Sequence, residues 1–98
     1  MSLKTEGCIK SINVECGSPV KVKFTIEPSS QYLFEEDGKK GILFQDDNKK
    51  DFKREDENIS FTVPNKLLVI WLTTIKTNRN KVRVVCDSSY STESIEVL

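Results

Sequence analysis

The sequence predicts a mostly β domain of short antiparallel strands with one packed helix. Three observations carry that expectation. Apolar and polar residues alternate at period two in several separate runs, most cleanly where Lys21, Lys23 and Thr25 fall between Val20, Val22, Phe24 and Ile26. Leu67, Leu68, Trp71, Leu72 and Ile75 instead recur at the spacing of a helical face, with Thr73, Thr74 and Lys76 between them. Turn-forming residues punctuate the runs, as in Gly17-Ser18-Pro19 and Glu36-Asp37-Gly38. The 98 residues fit a single domain, 1–98, with one modest core.

The first strand is expected around residues 8–16, with Cys8, Ile12, Val14 and Cys16 on one face and Ser11, Asn13 and Glu15 on the other. The Gly-Ser-Pro turn then leads into the clean alternation of Val20 to Ile26, a hairpin partner with one apolar and one solvated face. Pro28-Ser29-Ser30 breaks that run. Gln31 to Phe34 restarts it briefly, and Ile42-Leu43-Phe44 reads as another short strand. Residues 45–58 are mostly charged or polar with both signs mixed, and Phe52 is their one large apolar side chain. So little apolar surface does not offset the entropy of ordering a segment, which therefore reads as a charged exposed loop or a hairpin tip pinned by Phe52. Ile59, Phe61 and Val63 alternate again, and Pro64 ends that strand.

The helix is expected over 65–78, with Asn65 as its N-cap and Asn78 or Asn80 at its close. A buried central strand also fits the six apolar residues from Leu67 to Leu72, because Val69, Ile70 and Trp71 favour strands. The length of the stretch and its polar tail favour the helix. Val82, Val84 and Cys86 form the next strand, and Ile95 and Val97 the last. Five short antiparallel strands with a helix before the fourth is the order of an OB-type barrel.

Composition narrows the chemistry. Fifteen basic and fifteen acidic residues cancel, so no global field draws the chain to phosphate or anionic lipid. There is no histidine, which removes the commonest general base and metal ligand. Three cysteines, Cys8, Cys16 and Cys86, lack the spacing of a zinc or dithiol redox site. The longest apolar run is far short of the ~20 residues a membrane helix needs, so membrane insertion is not expected. Met1-Ser2-Leu3 can be read as a leader standing in for a removed export signal, which leaves the compartment open.

A resemblance enters at Gly7-Cys8-Ile9-Lys10-Ser11-Ile12, Val22-Lys23-Phe24-Thr25-Ile26 and Phe61-Thr62-Val63-Pro64. With Leu67-Leu68 opening the helix and Lys81-Val82-Arg83-Val84 after it, the chain resembles small OB-fold proteins related to pentameric bacterial toxin binding subunits, of the subtilase cytotoxin type. The resemblance implies glycan binding at shallow sites, ring assembly and a secreted or periplasmic location. It assigns no sugar-binding residue, and residues 45–58 depart from the family pattern. An OB-type arrangement also makes the first and fourth strands neighbours, which lets Cys8 or Cys16 meet Cys86; three small buried thiols are the other reading.

Tyr32, Phe34 and Tyr90 sit beside polar turns and are the candidate ligand-binding residues. Trp71 is assigned to the core from its place on the helical face. Asp46 to Asp51 lacks the alternating oxygens and central glycine of a calcium loop, so no metal or other cofactor is expected. Lys10, Lys21 and Lys23 could make a basic stripe, but Phe24 points away from it, which disfavours nucleic acid. The reading that follows is a non-catalytic binding module for a glycan or protein surface, with a homo-oligomer allowed through the helix and edge strands. An accessory or inhibitor protein docking through the charged loop is the alternative, and a single-stranded nucleic-acid-binding OB domain is the weaker one.

Overall fold

A long first strand sets the architecture. In the computed structural model, which describes residues 1–17, 19–63 and 68–98, β1 spans Leu3–Glu15. Its second half, from Gly7, pairs antiparallel with β2, Lys21–Pro28, and its first half, Leu3 to Cys8, pairs with the strand Lys81–Cys86. Within the β1–β2 ladder Ile9 faces Ile26 but Ser11 faces Thr25, so Lys10 is the extra residue of a β-bulge. The bulge shifts the phase of the strand. Leu3, Thr5, Gly7 and Ile9 point into the protein before it, and Ile12 packs on the core after it. The single apolar face expected from Cys8 to Cys16 is therefore split: Cys8 lies outward and half-buried, and Val14 is 46 % exposed where the strand outruns the core. Leu3, read from sequence as part of a leader, is a core residue facing Cys86.

The remaining strands are β3, Leu33–Glu36; β4, Lys39–Gln45; β5, Asp51–Arg54; β6, Phe61–Val63; β7, Lys81–Cys86; and β8, Thr92–Val97. Among the described residues the chain is mostly β and antiparallel with one helix, but there are eight strands where a five-stranded barrel was expected. β3 and β4 take up the short runs expected at Gln31 to Phe34 and Ile42 to Phe44, and with β5, which was not expected, they form a meander between β2 and β6 that meets β1 at Lys4 and Gln45. A 3-10 turn, Ser30–Tyr32, leads into it. Asp37 and Gly38, both at positive φ (51° and 77°), make the tight β3–β4 hairpin. Residues 45–58 are largely exposed, as their charge dictates, yet they hold β5, and Phe52 packs against the core. The hairpin-tip reading of that segment thus replaces the loop.

One turn design appears twice. The Asp46 carboxylate accepts the Asn48 and Lys50 amides at 2.9 and 2.8 Å, and Lys49 takes a left-handed φ of 62°. Between β7 and β8, the Asp87 carboxylate accepts the Ser89 and Ser91 amides at 2.9 and 3.0 Å, and Tyr90 takes φ 63°. A parallel bridge pairs Thr62 with Ser91, and the Thr62 amide donates to the Tyr90 carbonyl at 3.0 Å, tying β6 to the second of these turns.

The helix α1 spans Leu68–Asn78; Asn65, Lys66 and Leu67, and with them the expected N-cap, lie outside the described residues. Its sequence is poorly suited to a helix, since Val69, Ile70, Thr73, Thr74, Ile75 and Thr77 are all β-branched. Packing compensates, with Leu72 and Ile75 buried and Leu68 and Val69 half-buried against the core. Thr73 and Thr74 donate their hydroxyls back to the Val69 and Ile70 carbonyls at 2.8 and 3.0 Å. Trp71 is not core, as its place on the face had predicted. It stands at the edge of the buried stripe and is 37 % exposed, too far round the helix to point into the sheet. The aromatic centre of the protein is instead Phe24 on Phe61 at 5.3 Å and Phe44 on Phe61 at 6.1 Å.

The cysteines are all free. β1 and β7 are neighbours as anticipated, but Cys8 faces Lys81 whereas Cys86 faces Leu3. Five residues of strand separate those two pairs, roughly 17 Å at about 3.3 Å per residue and far beyond disulfide reach. Cys16 lies at the opposite end of β1 and is exposed, so neither candidate partner meets Cys86.

Candidate functional site

The edge position of Trp71 makes a groove. Its ring, with Leu68 on the same helix, faces β8 across a space of about 460 Å³ whose floor includes Val63 and Ile95. Thr92, Glu93 and Ser94 supply the far wall. A second bulge shapes that wall, because Val85 faces Ser94 while Cys86 faces Thr92, leaving Glu93 as the extra residue. Consecutive residues Glu93 and Ser94 are consequently both exposed, with Glu93 accepting the Ser2 hydroxyl at 3.0 and 3.2 Å. Thr92 turns inward, and its buried hydroxyl has no partner among the described residues. The chemistry of the groove is aliphatic below, aromatic on one side and polar at the rim. Such a surface binds by burial and shape rather than by bond making.

The aromatic residues singled out from sequence do not converge there. Tyr32 and Phe34 are buried, at 7 % and 8 % exposure, where the 3-10 turn and β3 fold against β1 and β4. The Ser29 amide donates to the Glu6 carbonyl at 2.9 Å, which anchors that turn to β1. Tyr90 is half-buried in the β7–β8 turn, where its ring contacts Phe44 and Phe61 with centroids 5.8 and 6.1 Å away. Its hydroxyl accepts the Arg54 Nε at 3.1 Å. Proximity to turns put these residues on the surface in the sequence reading; the meander strands then covered two of them.

Beside the 3-10 turn, Glu6 is buried and accepts Arg83 Nε at 3.0 Å, with Arg83 also donating to Glu96 at 3.3 Å. The Glu6 hydrogen bond is the main influence raising the Arg83 guanidinium above its ordinary value, against a smaller opposing effect of desolvation. This pair follows from register, since Glu6 and Arg83 face each other across β1 and β7. Burial pushes the Cys86 thiol up to about 12, and the Asp87 and Glu93 carboxylates add to the effect. A thiol held protonated in this way is an inert packing group. The Asp46 carboxylate, part of the rejected calcium pattern, is committed to the amides of its own turn.

Among the described residues no helix is long and apolar enough to cross a membrane. Comparison with protein-family models, curated proteins and solved structures yields no match to this chain.

Proposed function

We propose that this chain is a non-catalytic binding module that recognises a protein surface through the groove between α1 and β8. The observation carrying the reading is Trp71, 37 % exposed beside an aliphatic floor. A large aromatic held at the margin of an apolar depression is the kind of anchor that protein interfaces use. Ile70, the next residue back along the helix and 80 % exposed, adds apolar surface outside the groove. A second copy of this chain is among the partners such a surface suits, which makes a homo-oligomer part of the proposal. The absence of histidine from the sequence supports a module without catalysis.

The scaffold is read as an OB-type barrel in the manner of the toxin binding subunits. Support comes from β1 pairing with both β2 and β7, from β2–β6 and β7–β8, and from the parallel Thr62–Ser91 bridge across the remaining gap. In that reading β3, β4 and β5 are an insertion. A glycan is the second ligand reading, favoured by the Trp71 ring opposite Glu93 and Ser94, a set that can stack a sugar and bond its hydroxyls. Docking through residues 45–58 receives less support, since Lys39 and Lys53 around that hairpin already pair with Glu55 and Glu36 at 3.3 and 3.0 Å.

The test compares the wild-type chain with Trp71→Ala in peptide-display selection, on a glycan array and by light scattering. Selected peptides or self-association weakened tenfold or more by the substitution would support the protein-surface reading. Array binding that depends on Trp71 would transfer the groove to glycans. Ligands indifferent to Trp71 would overturn the assignment.

A further inference from the structure

A second groove lies where the last turn of α1 crosses the β1 bulge, and its character is electrostatic. Lys10, Lys76 and Arg79 line a space of about 580 Å³ together with Thr77, Cys8 and one carboxylate, Glu27. Among the described residues Lys23, Lys39, Lys53 and Arg83 form ion pairs, and none of the three groove cations does. In a chain of zero net charge this is a local excess of unneutralised cations.

Two features of the backbone place Lys10 and Arg79 along this groove. Lys10 is the bulge residue of β1, and a bulge re-aims the side chain it carries. Its ammonium donates to the Asn58 side chain at 2.8 Å, leaving donor capacity for a ligand. Arg79 occupies the left-handed position that ends α1, with φ 55°, where glycine is the usual residue. The hydrogen bonds that close the helix come from the backbone. The Arg79 and Asn80 amides already cap the Lys76 and Ile75 carbonyls at 3.1 and 3.2 Å. The Cys8 thiol also donates to the Arg79 carbonyl at 3.8 Å, fixing the turn against β1. Capping uses the Arg79 backbone, so its guanidinium, placed at the negative end of the helix, keeps its donors for the groove.

We infer that this groove binds a sugar carrying a tetrahedral oxyanion, a phosphate or sulfate ester, with Lys10, Lys76 and Arg79 on the oxyanion and Glu27 accepting from sugar hydroxyls. The mixed composition selects the class. A run of phosphodiesters would set a second negative group against Glu27, and among the described residues no aromatic ring lines the groove to stack a base. A sugar ester alternates an anion with hydroxyl donors, which matches three cations beside one carboxylate. The inference goes beyond the α1–β8 groove and does not depend on it.

The experiment is an amide NMR titration of the full chain with glucose 6-phosphate, inorganic phosphate, glucose and a ten-residue oligothymidylate. Glucose 6-phosphate is expected to shift the Lys10, Lys76 and Arg79 amides, and to bind at least fivefold more tightly than phosphate, with glucose inert. Arg79→Gly should keep or raise the melting temperature, because glycine suits the left-handed turn, while weakening binding about tenfold. Lys49→Gly, at another left-handed turn, should leave binding unchanged. Phosphate binding as tightly as the sugar ester would mean an adventitious ion only and overturn the inference. So would unchanged affinity in Arg79→Gly, or oligothymidylate binding more tightly than the sugar ester at these residues.

Discussion

Thr5 is fully buried between core neighbours, and its hydroxyl has no partner among the described residues. A desolvated hydroxyl without a hydrogen bond is a net cost, so Thr5→Val should stabilise the protein by about 1 kcal/mol, read as a higher urea midpoint with unchanged slope. Cys86 gives a pH-dependent counterpart. Its proton is held more tightly in the folded protein, with the thiol raised from 9.0 to about 12, than in the unfolded chain. That contribution to stability is complete below about pH 9 and declines as pH climbs from there toward 12. Cys86→Ala should show a shallower alkaline decline of the urea midpoint, despite lower stability at neutral pH. At pH 8 a thiol reagent should modify exposed Cys16 rapidly and leave Cys86 untouched until the chain unfolds. The sequence could not rank these thiols, because their exposure depends on which strands lie opposite. It misplaced Tyr32 and Phe34 for the same reason. Trp71 could have been found at this scale: at about 100° per residue it lies roughly 80° round the helix from the middle of Leu68 and Leu72, and the widest side chain on a helix edge is the one a narrow seam leaves outside.

Elements with one exposed face were the most legible. The β2, β6, β7 and β8 alternations and the helix were all visible as periodicity. Of the meander, β3 and β4 showed as short apolar runs, whereas β5 did not, because Asp51-Phe52-Lys53-Arg54 offers one apolar residue and its order comes from pairing with β4 instead. Amide exchange checks this. Phe52 and Phe44, a hydrogen-bonded pair of that ladder, should be protected, and residues 55–57 should exchange fast. Gly41 makes the close contact on which the meander depends: a Cβ there would lie 1.8 Å from the Arg54 carbonyl oxygen and 2.7 Å from the Phe34 ring. Gly41→Ala should therefore destabilise by about 3 kcal/mol, because backbone as well as side chain must move, and thermal unfolding measures it.

At the scale of the whole molecule, the zero net charge foretold the absence of a global field but concealed how charge is distributed. Among the described residues the meander holds ion pairs at Lys39–Glu55 and Lys53–Glu36, whereas Lys76 and Arg79 at the end of α1 form none. Only the fold brings Lys10 within reach of Lys76 and Arg79, 66 and 69 residues further along the chain. The apolar groove was equally hidden, since its walls come from the helix and from a strand bulged at Glu93. A bulge is one extra residue, and single-sequence periodicity reads it as noise.

The extra residue in β1 gives that strand something like a shift of reading frame. Side chains upstream and downstream of Lys10 have opposite numbering parity, and the bulge absorbs the one residue by which they differ. Neither the identity of residue 10 nor its presence is then needed to keep Ile9 and Ile12 inward. Lys10→Ala should fold normally by circular dichroism. Deleting the residue altogether should also leave a folded chain, because an unbroken ladder would still pair Ile9 with Ile26, Ser11 with Thr25 and Ile12 with Phe24.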